Sequence, residues 1–331
     1  MLAPLLAAVA LAAAPPQHFL LTLSRDMGPH HVPPQLVLVD RSGKLVRKIG
    51  TPGYVLVRGK WSPNGQSIAW SDPQGVHVEN ADGTNQRLLV AHEPGCNTSC
   101  TQPWFIWTPD GTALDVGGVG KQTDEFLLVP IDGAPPSPLV PARLWENPGP
   151  VEWTPGGRAL VWFGGVSHVG SRGCCYSAVY ETVPATHATT TVYRSEQTQG
   201  QGIALSPDAT KWVEFVEATD PMKDYGLTIV DAKTDTKRVL LAAGSTADVV
   251  WSPDGRTVAT VLAGDRVVEI TVATGKVRDI GSGEQLFYGR DGTLYITRDV
   301  YSEVWTSRNG SPERFLFRTP GRLEVYDLDA Y

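Results

Sequence analysis

The chain has 331 residues, with 28 lysines and arginines against 35 aspartates and glutamates, a formal net charge of −7. Binding to a nucleic-acid backbone needs clustered cations, so we expect no nucleic-acid partner. With 41% hydrophobic and 19% charged residues, 34 glycines and 26 prolines, the composition indicates a globular, turn-rich protein that is neither disordered nor a coiled coil.

Residues 2–14 are almost entirely leucine, alanine and valine. Such a run matches the apolar part of a signal peptide and is shorter than the roughly 20 helical residues that span a bilayer. No lysine or arginine precedes it, and Pro15 and Pro16 follow it, so a disordered leader is the alternative for residues 1–17. We expect an extracytoplasmic protein, periplasmic or secreted, without a transmembrane segment in the mature chain.

The first structural unit follows this leader. Three strand-like runs occupy residues 19–23, 35–40 and 44–49, and a fourth run of the same character lies at residues 323–328, near the other terminus. The unit at the N-terminus lacks an innermost strand, and the run at the C-terminus has no unit of its own. We therefore predict that the C-terminal strand completes the first unit and closes a ring.

Between these ends the chain repeats a short motif of an aromatic residue, Ser or Thr, Pro, Asp or Asn, and Gly. The spacings are 46, 46, 52, 46 and 37 residues. The motif, in complete or altered form, begins at Trp61, Trp107, Trp153, Leu205, Trp251 and Tyr288.

Each motif is followed by three short strand-like runs separated by polar turns, so a unit has four strands. Asp-Gly and Asn-Gly supply the positive φ values of tight turns, and the tryptophan can bury a large apolar side chain against the neighbouring unit. Four antiparallel strands cannot bury both faces alone, so the units must pack side by side. The fold class is all-β: a β-propeller of four-stranded antiparallel blades.

The motif at Trp61, Trp107, Trp153 and Trp251 resembles the WD-repeat-like units of TolB-type propellers, which also occur in prolyl oligopeptidase-like peptidases. The resemblance covers essentially everything after residue 17. Six motif-bearing units and one composite unit predict seven blades, with six as the alternative, in a single domain over residues 18–331. The motif is specific for fold and nearly silent about function.

The two faces of such a ring differ in loop length. Turns that join strands one to two and three to four are minimal hairpins, such as Asn64-Gly65 and Asp82-Gly83, and we call that side the short-turn face. Long segments lie on the opposite side, the long-connection face: residues 26–34, 91–103, 117–124, 164–175 and 218–225. Binding residues concentrate on long loops of rigid scaffolds, so contact is expected there.

The four cysteines form two close pairs on the long-connection face, Cys96 with Cys100 and Cys174 with Cys175. An even count in an exported chain favours disulfides, with free thiols or a metal as alternatives. Adjacent cysteines make strained rings, so cross-links between the two pairs are favoured.

Twelve other residues on this face are candidate binding groups, each with ordinary loop polarity or packing as the alternative explanation. They are His30, His31, Trp104, Trp145, His168, Arg172, Tyr176, Asp220, Lys223, Tyr225, Arg298 and Tyr301. Trp104 and Trp145 are assigned to connections between blades.

No catalytic residue, metal site or cofactor is predicted, because no nucleophile elbow, phosphate loop or His-Glu-x-x-His motif occurs. We expect a monomeric, non-catalytic scaffold for a protein or peptide in the envelope or extracellular space. The alternative is a lyase or hydrolase with a site at the mouth of the axial channel.

Overall fold

The computed structural model describes the chain over twelve ranges: residues 18–25, 32–53, 57–92, 104–117, 126–140, 146–154, 156–166, 176–194, 203–216, 225–234, 236–308 and 311–331. These residues form β-strands and tight turns, with one short 3-10 helix, η1, at Pro320–Arg322. The histidine pair His30 and His31, and all four cysteines, lie outside them.

The strands group into blades in chain order. The first three are β1 (His18–Arg25), β2 (Val32–Asp40) and β3 (Leu45–Ile49). The next two groups are β4 (Arg58–Trp61), β5 (Ser67–Asp72), β6 (Gly75–Asn80) and β7 (Arg87–Ala91), then β8 (Trp104–Trp107), β9 (Ala113–Gly117), β10 (Phe126–Pro130) and β11 (Ser137–Val140). The fourth and fifth blades follow as β12 (Glu146–Trp153), β13 (Leu160–Val166), β14 (Tyr176–Val183) and β15 (Ala188–Arg194), then β16 (Ile203–Leu205), β17 (Lys211–Val216), β18 (Tyr225–Asp231) and β19 (Thr236–Trp251).

The sixth blade adds β20 (Thr257–Leu262), β21 (Arg266–Thr271) and β22 (Val277–Ser282), and the seventh contains β23 (Leu286–Tyr288), β24 (Thr293–Arg298), β25 (Glu303–Arg308) and β26 (Arg314–Arg318). The last strand, β27 (Glu324–Ala330), pairs antiparallel with β1, Leu328 opposite Leu21. Its sheet has the order β27-β1-β2-β3, so the C-terminal strand is the innermost strand of blade one. The fold is a seven-bladed β-propeller, and the predictions of seven blades and of ring closure by the C-terminal strand are confirmed.

One strand differs from the four-runs-per-unit expectation. β19 runs without interruption for 16 residues and serves as the outer strand of blade five and the inner strand of blade six. The small residues between Leu241 and Val249 contain no proline, so nothing stops the extended chain. Ser245 marks the crossover, because it pairs with Tyr225 on one side and with Leu262 on the other.

The repeated motif forms the same backbone turn in the six blades that carry it. In blade two the Gly65 N–H donates to the Ser62 carbonyl over 2.9 Å, and Gly65 has φ +68°. The Asn64 side-chain oxygen accepts hydrogen bonds from the Ser62 hydroxyl and from the Gln66 N–H. Asp110, Asp208 and Asp254 receive the corresponding pair of bonds in their blades. The motif is therefore conserved between blades because it completes its own hydrogen bonds.

The core consists of seven clusters of buried side chains among the described residues, one at each interface between neighbouring blades. The motif tryptophans pack against the preceding blade. Trp107 Nε1 donates to the Lys60 carbonyl over 3.1 Å, and Trp251 Nε1 donates to the Ala204 carbonyl over 2.9 Å. Each fully buried ring of this kind contributes on the order of 2–3 kcal/mol.

The C-terminal residue fastens the closed ring on the short-turn face. Tyr331 exchanges two backbone hydrogen bonds with His18, and its ring packs on Trp61 with centroids 5.6 Å apart. Arg290 of blade seven lies over the Tyr331 ring and donates to the carbonyls of Trp61 and Ser62 in blade two. Tyr331 thus contacts blades seven, one and two.

Two motif glycines test this closure, because they share a turn geometry and differ only in surroundings. Gly65→Ala would place a Cβ 1.9 Å from the Tyr331 ring, whereas at Gly255, with φ +67°, a Cβ meets nothing within 4 Å. We expect Gly255→Ala to cost about 1–2 kcal/mol of left-handed strain. Gly65→Ala should cost a further 1–3 kcal/mol or so, because the ring must move. Denaturant unfolding of both variants measures the difference, and equal losses would contradict the closure role of Tyr331.

Candidate functional site

The strand ends confirm which connections share a face. Connections on the short-turn face are at most six residues long, for example residues 62–66 and 81–86. On the long-connection face the gaps between strands reach twelve residues, at residues 92–103, and nine at residues 167–175. The topology therefore places all the longer connections at one end of the ring.

Most of the candidate binding residues lie outside the described part of the chain. These are His30, His31, Trp145, His168, Arg172, Asp220 and Lys223, together with the disulfide candidates Cys96, Cys100, Cys174 and Cys175. Tyr176 and Tyr225 are the first residues of β14 and β18, next to two of the long connections. Their roles stay predictions.

Trp104 lies in β8, the innermost strand of blade three, and not in a connection between blades as the sequence suggested. Its ring meets Phe126 edge to face, with centroids 4.9 Å apart, and it sits directly over Gly117, where an added Cβ would lie 2.3 Å from the indole. The strand runs from Trp104 to the motif residue Trp107, and all four of its residues are apolar. Trp104 is half-buried and packs inside blade three.

Arg298 and Tyr301 lie together at the connection between β24 and β25. Arg298 donates to the Ser282 carbonyl and to Glu313, and its guanidinium lies 4.4 Å from the centroid of Trp305. The Tyr301 carbonyl accepts from Val325 N–H at the start of β27. Both residues therefore fix this turn to its neighbours.

The same turn has an unusual backbone. Asp299, Val300 and Tyr301 all have left-handed φ values, between +53° and +60°. A β-branched residue rarely adopts this conformation, and each such residue costs on the order of 1 kcal/mol or more. The Glu284 carboxylate compensates by accepting from Val300 N–H at 3.2 Å and Tyr301 N–H at 2.6 Å. The turn presents the Val300 side chain, 59% exposed, on the long-connection face.

A second group lies where the innermost strands surround the axis. Lys60 of β4 forms an ion pair with Asp327 of β27, with Nζ and Oδ1 3.3 Å apart. Asp329, two residues further along β27, accepts from the Trp61 N–H at 2.7 Å. Glu152 of β12 is near enough for the charge of Lys60 to lower its pKa. We call Lys60, Glu152, Asp327 and Asp329 the axial cluster.

The charged groups of the axial cluster shift one another's pKa values. Burial would lower the pKa of Lys60, but the charges of Asp327 and Asp329 outweigh it and raise that pKa. Burial raises the pKa of Asp329 against the opposing effect of Lys60 and Arg290. Burial also raises the pKa of Glu152 to about 7, opposed by Lys60. The sequence alone gave no sign of this group, since Lys60 and Asp327 lie 267 positions apart in the chain.

Asp72 and His77 form a further pair at 2.9 Å in blade two, and His77 stacks on Trp70 with centroids 5.0 Å apart. Asp72 is 2% exposed and His77 4%, and Asp72 also accepts from the N–H groups of Thr51 and Gln74. These partners lower the pKa of Asp72 although burial opposes them. The pair lacks access for a substrate and fixes the end of blade two against blade one.

Two further observations limit the chemistry of the described residues. Within these twelve ranges no three histidine, cysteine or acidic side chains converge as metal ligands would. No helix among the same residues is long and apolar enough to cross a membrane.

The similarity to known proteins lies in the fold. No protein-family model matches the chain, and a search of curated proteins returns no match. Among solved structures, oligogalacturonate lyase from Vibrio parahaemolyticus is similar with a TM-score of 0.60 and 11% identity, covering 92% of this chain and 87% of the lyase. An oligogalacturonate lyase in complex with manganese has a TM-score of 0.61 and 13% identity over 92% of this chain and 86% of that one.

TolB from Acinetobacter baumannii is similar with a TM-score of 0.50 and 12% identity, covering 98% of this chain and 88% of TolB. Identities this low show the fold alone. The comparisons support a TolB-like propeller and give no support for the WD-repeat part of the resemblance.

The pKa of Glu152 predicts a pH dependence of stability. The folded state holds a proton on Glu152 up to about pH 7, whereas an unfolded glutamate releases it near pH 4.3, so the folded state binds more protons in between. Stability from this group is complete below about pH 4 and falls as the pH rises to about 7. We expect Glu152→Gln to be more stable relative to the unchanged protein at pH 8 than at pH 5, in urea unfolding. The same difference at both pH values would contradict the raised pKa.

Proposed function

We propose that this protein is a binding propeller that takes a protein or peptide partner on its long-connection face. The observation that carries the proposal is the strained turn at Val300. An exposed apolar side chain on a left-handed, β-branched residue costs stability twice, in backbone strain and in contact with water. Such a cost persists where surrounding structure enforces it, and here the Glu284 carboxylate enforces it.

The position of the turn supports the same proposal. Val300 shares its face with all the longer connections, whereas the polar side chains of the motif turns are hydrogen-bonded within their own turns. Arg298, packed on Trp305, and the tyrosine next to Val300 stand beside it, and Arg and Tyr are frequent anchors in protein interfaces. A rigid apolar turn with such neighbours suits a partner that offers an apolar pocket.

The second candidate function is catalysis in the axial channel. A carboxyl group with a pKa of about 7 beside a lysine ammonium is suited to general acid–base chemistry at neutral pH. Glu152 would be the proton-transfer group and Lys60 the electrostatic partner. A substrate screen tests this candidate, and Glu152→Gln should abolish any turnover that the screen finds. The similarity of the fold to lyases does not identify a substrate for this protein.

Export and disulfide formation belong to the same proposal. The apolar run of residues 2–14 supports an extracytoplasmic location, and the paired cysteines support disulfide links between loops of the partner-binding face. Non-reducing peptide mapping of protein isolated from the cell envelope tests both. Four free thiols in exported material would contradict the disulfides.

Val300→Asn separates stability from binding. Asparagine tolerates left-handed φ better than valine does, so the variant should gain about 0.5–1 kcal/mol of stability in chemical unfolding. Loss of the apolar anchor should at the same time weaken partner binding about tenfold, a change of roughly 1.4 kcal/mol. Val239→Asn, which changes a 62% exposed valine on the outer strand of blade five, is the matched control and should leave binding unchanged.

The partner for this measurement is found by photo-crosslinking in the native cell. A photoreactive residue at Tyr301 samples the long-connection face, and one at exposed Arg158 samples the short-turn face. We expect a discrete crosslinked protein from Tyr301 and none from Arg158. Equal products from both positions, or unchanged binding by Val300→Asn, would overturn the proposed interface.

A further inference from the structure

A polar groove lies on the opposite, short-turn face, between blades six and seven. It has a volume of about 490 Å³, within the 300–1,000 Å³ range of roughly ligand-sized sites. The motif turns of both blades line it, and so does the turn between β21 and β22. All of its lining belongs to the described part of the chain.

The groove lies beside the blade in which the repeat changes. Blade seven has Tyr288 at the position of the motif tryptophan and Arg290 at the position of the motif proline. Tyr288 lines the groove, and Arg290 extends to the carbonyls of blade two. The Tyr288 hydroxyl donates a hydrogen bond to the buried carboxylate of Glu269 over 2.6 Å.

Two of the three carboxylates that line the groove, those of Glu269 and Asp291, have both oxygens engaged. Glu269 accepts from Tyr288 on one oxygen and from Arg278 on the other. Asp291 receives the N–H and the hydroxyl of Thr293 on its two oxygens. Their negative charge is therefore stabilised by fixed donors and does not attract a further cation strongly.

Two cations of the groove are much freer. Lys276 forms no ion pair with any residue in the described ranges, and Arg256 is 84% exposed with only a loose contact of 3.8 Å to Asp254. Four cations and three carboxylates line the groove, an excess of one positive charge in a chain of net charge −7. Arg278 is paired with Glu269, and Arg290 donates to two backbone carbonyls, so Lys276 and Arg256 are the cations of the groove that are least engaged by the described residues.

We propose that this groove binds a small organic anion that carries a carboxylate or phosphate group. Lys276 and Arg256 supply the charge-assisted hydrogen bonds, and the Tyr288 ring and the backbone of the motif turns supply the walls. The site is independent of the long-connection face, so either function can hold without the other.

Calorimetric titration of the full chain at constant ionic strength tests the site, because phosphate stabilises proteins generically and would confuse a thermal assay. The probes are citrate, inorganic phosphate and, as a cation of reference, choline. We expect saturable binding of citrate or of phosphate and none of choline. Whichever anion binds more tightly tells the carboxylate source from the phosphate source.

Three variants assign the binding to the groove. Lys276→Gln and Arg256→Gln should each weaken binding about tenfold, whereas Lys48→Gln, an equal charge change on the exposed edge of blade one, should not. Tyr288→Trp restores the repeat residue and should close the groove, and Val300→Asn should have no effect on anion binding. The proposal is overturned by the absence of saturable heat from both anions, by choline binding, or by glutamine variants that bind as Lys48→Gln does.

Discussion

The pairing of β27 with β1 is the constraint on which the rest of the molecule depends. A four-stranded blade is apolar on both faces, and only a closed ring gives every face a neighbour. Blade one, built from both ends of the chain, supplies two of the seven interfaces. The entropic cost of joining chain ends grows with the logarithm of the length between them, so closing a ring of about 310 residues costs about 3 kcal/mol more than closing a loop of about ten residues. The pairing itself therefore decides whether the interfaces form.

Closure also explains why blade seven departs from the repeat. Arg290 stands where the other blades have proline, and its guanidinium reaches across Tyr331 to blade two. Proline in that place would leave the last residue without its cover. Arg290, which fastens the ring in this way, is also a lining residue of the groove between blades six and seven.

The fold was predictable because the motif is local chemistry. Ser62, Asn64 and Gly65 complete a turn by themselves, and a tryptophan before them identifies an interface. The axial cluster was not predictable, since Lys60 and Asp327 lie 267 positions apart and meet only in the closed ring. From the sequence, Val300 is indistinguishable from an ordinary loop valine, because its left-handed φ depends on Glu284 from another connection. Asp115 could not be predicted either: its side chain is fully buried in β9 and has no hydrogen-bond partner within the described ranges, and the next two blades have Val161 and Val213 at this position.

The strand β27 links the three places where function is proposed or possible. At the start of the strand, the Val325 N–H donates a hydrogen bond to the Tyr301 carbonyl. Further along, Asp327 and Asp329 belong to the axial cluster, and Tyr331 follows the end of the strand. Asp327 and Asp329 therefore hold the first blade to the second, and using them in catalysis would put the closure at risk. Glu152 has no such role, because its side chain forms no hydrogen bond among the described residues and its blade is far from the seam. If the channel performs chemistry, Glu152 is the group that can change protonation without opening the ring.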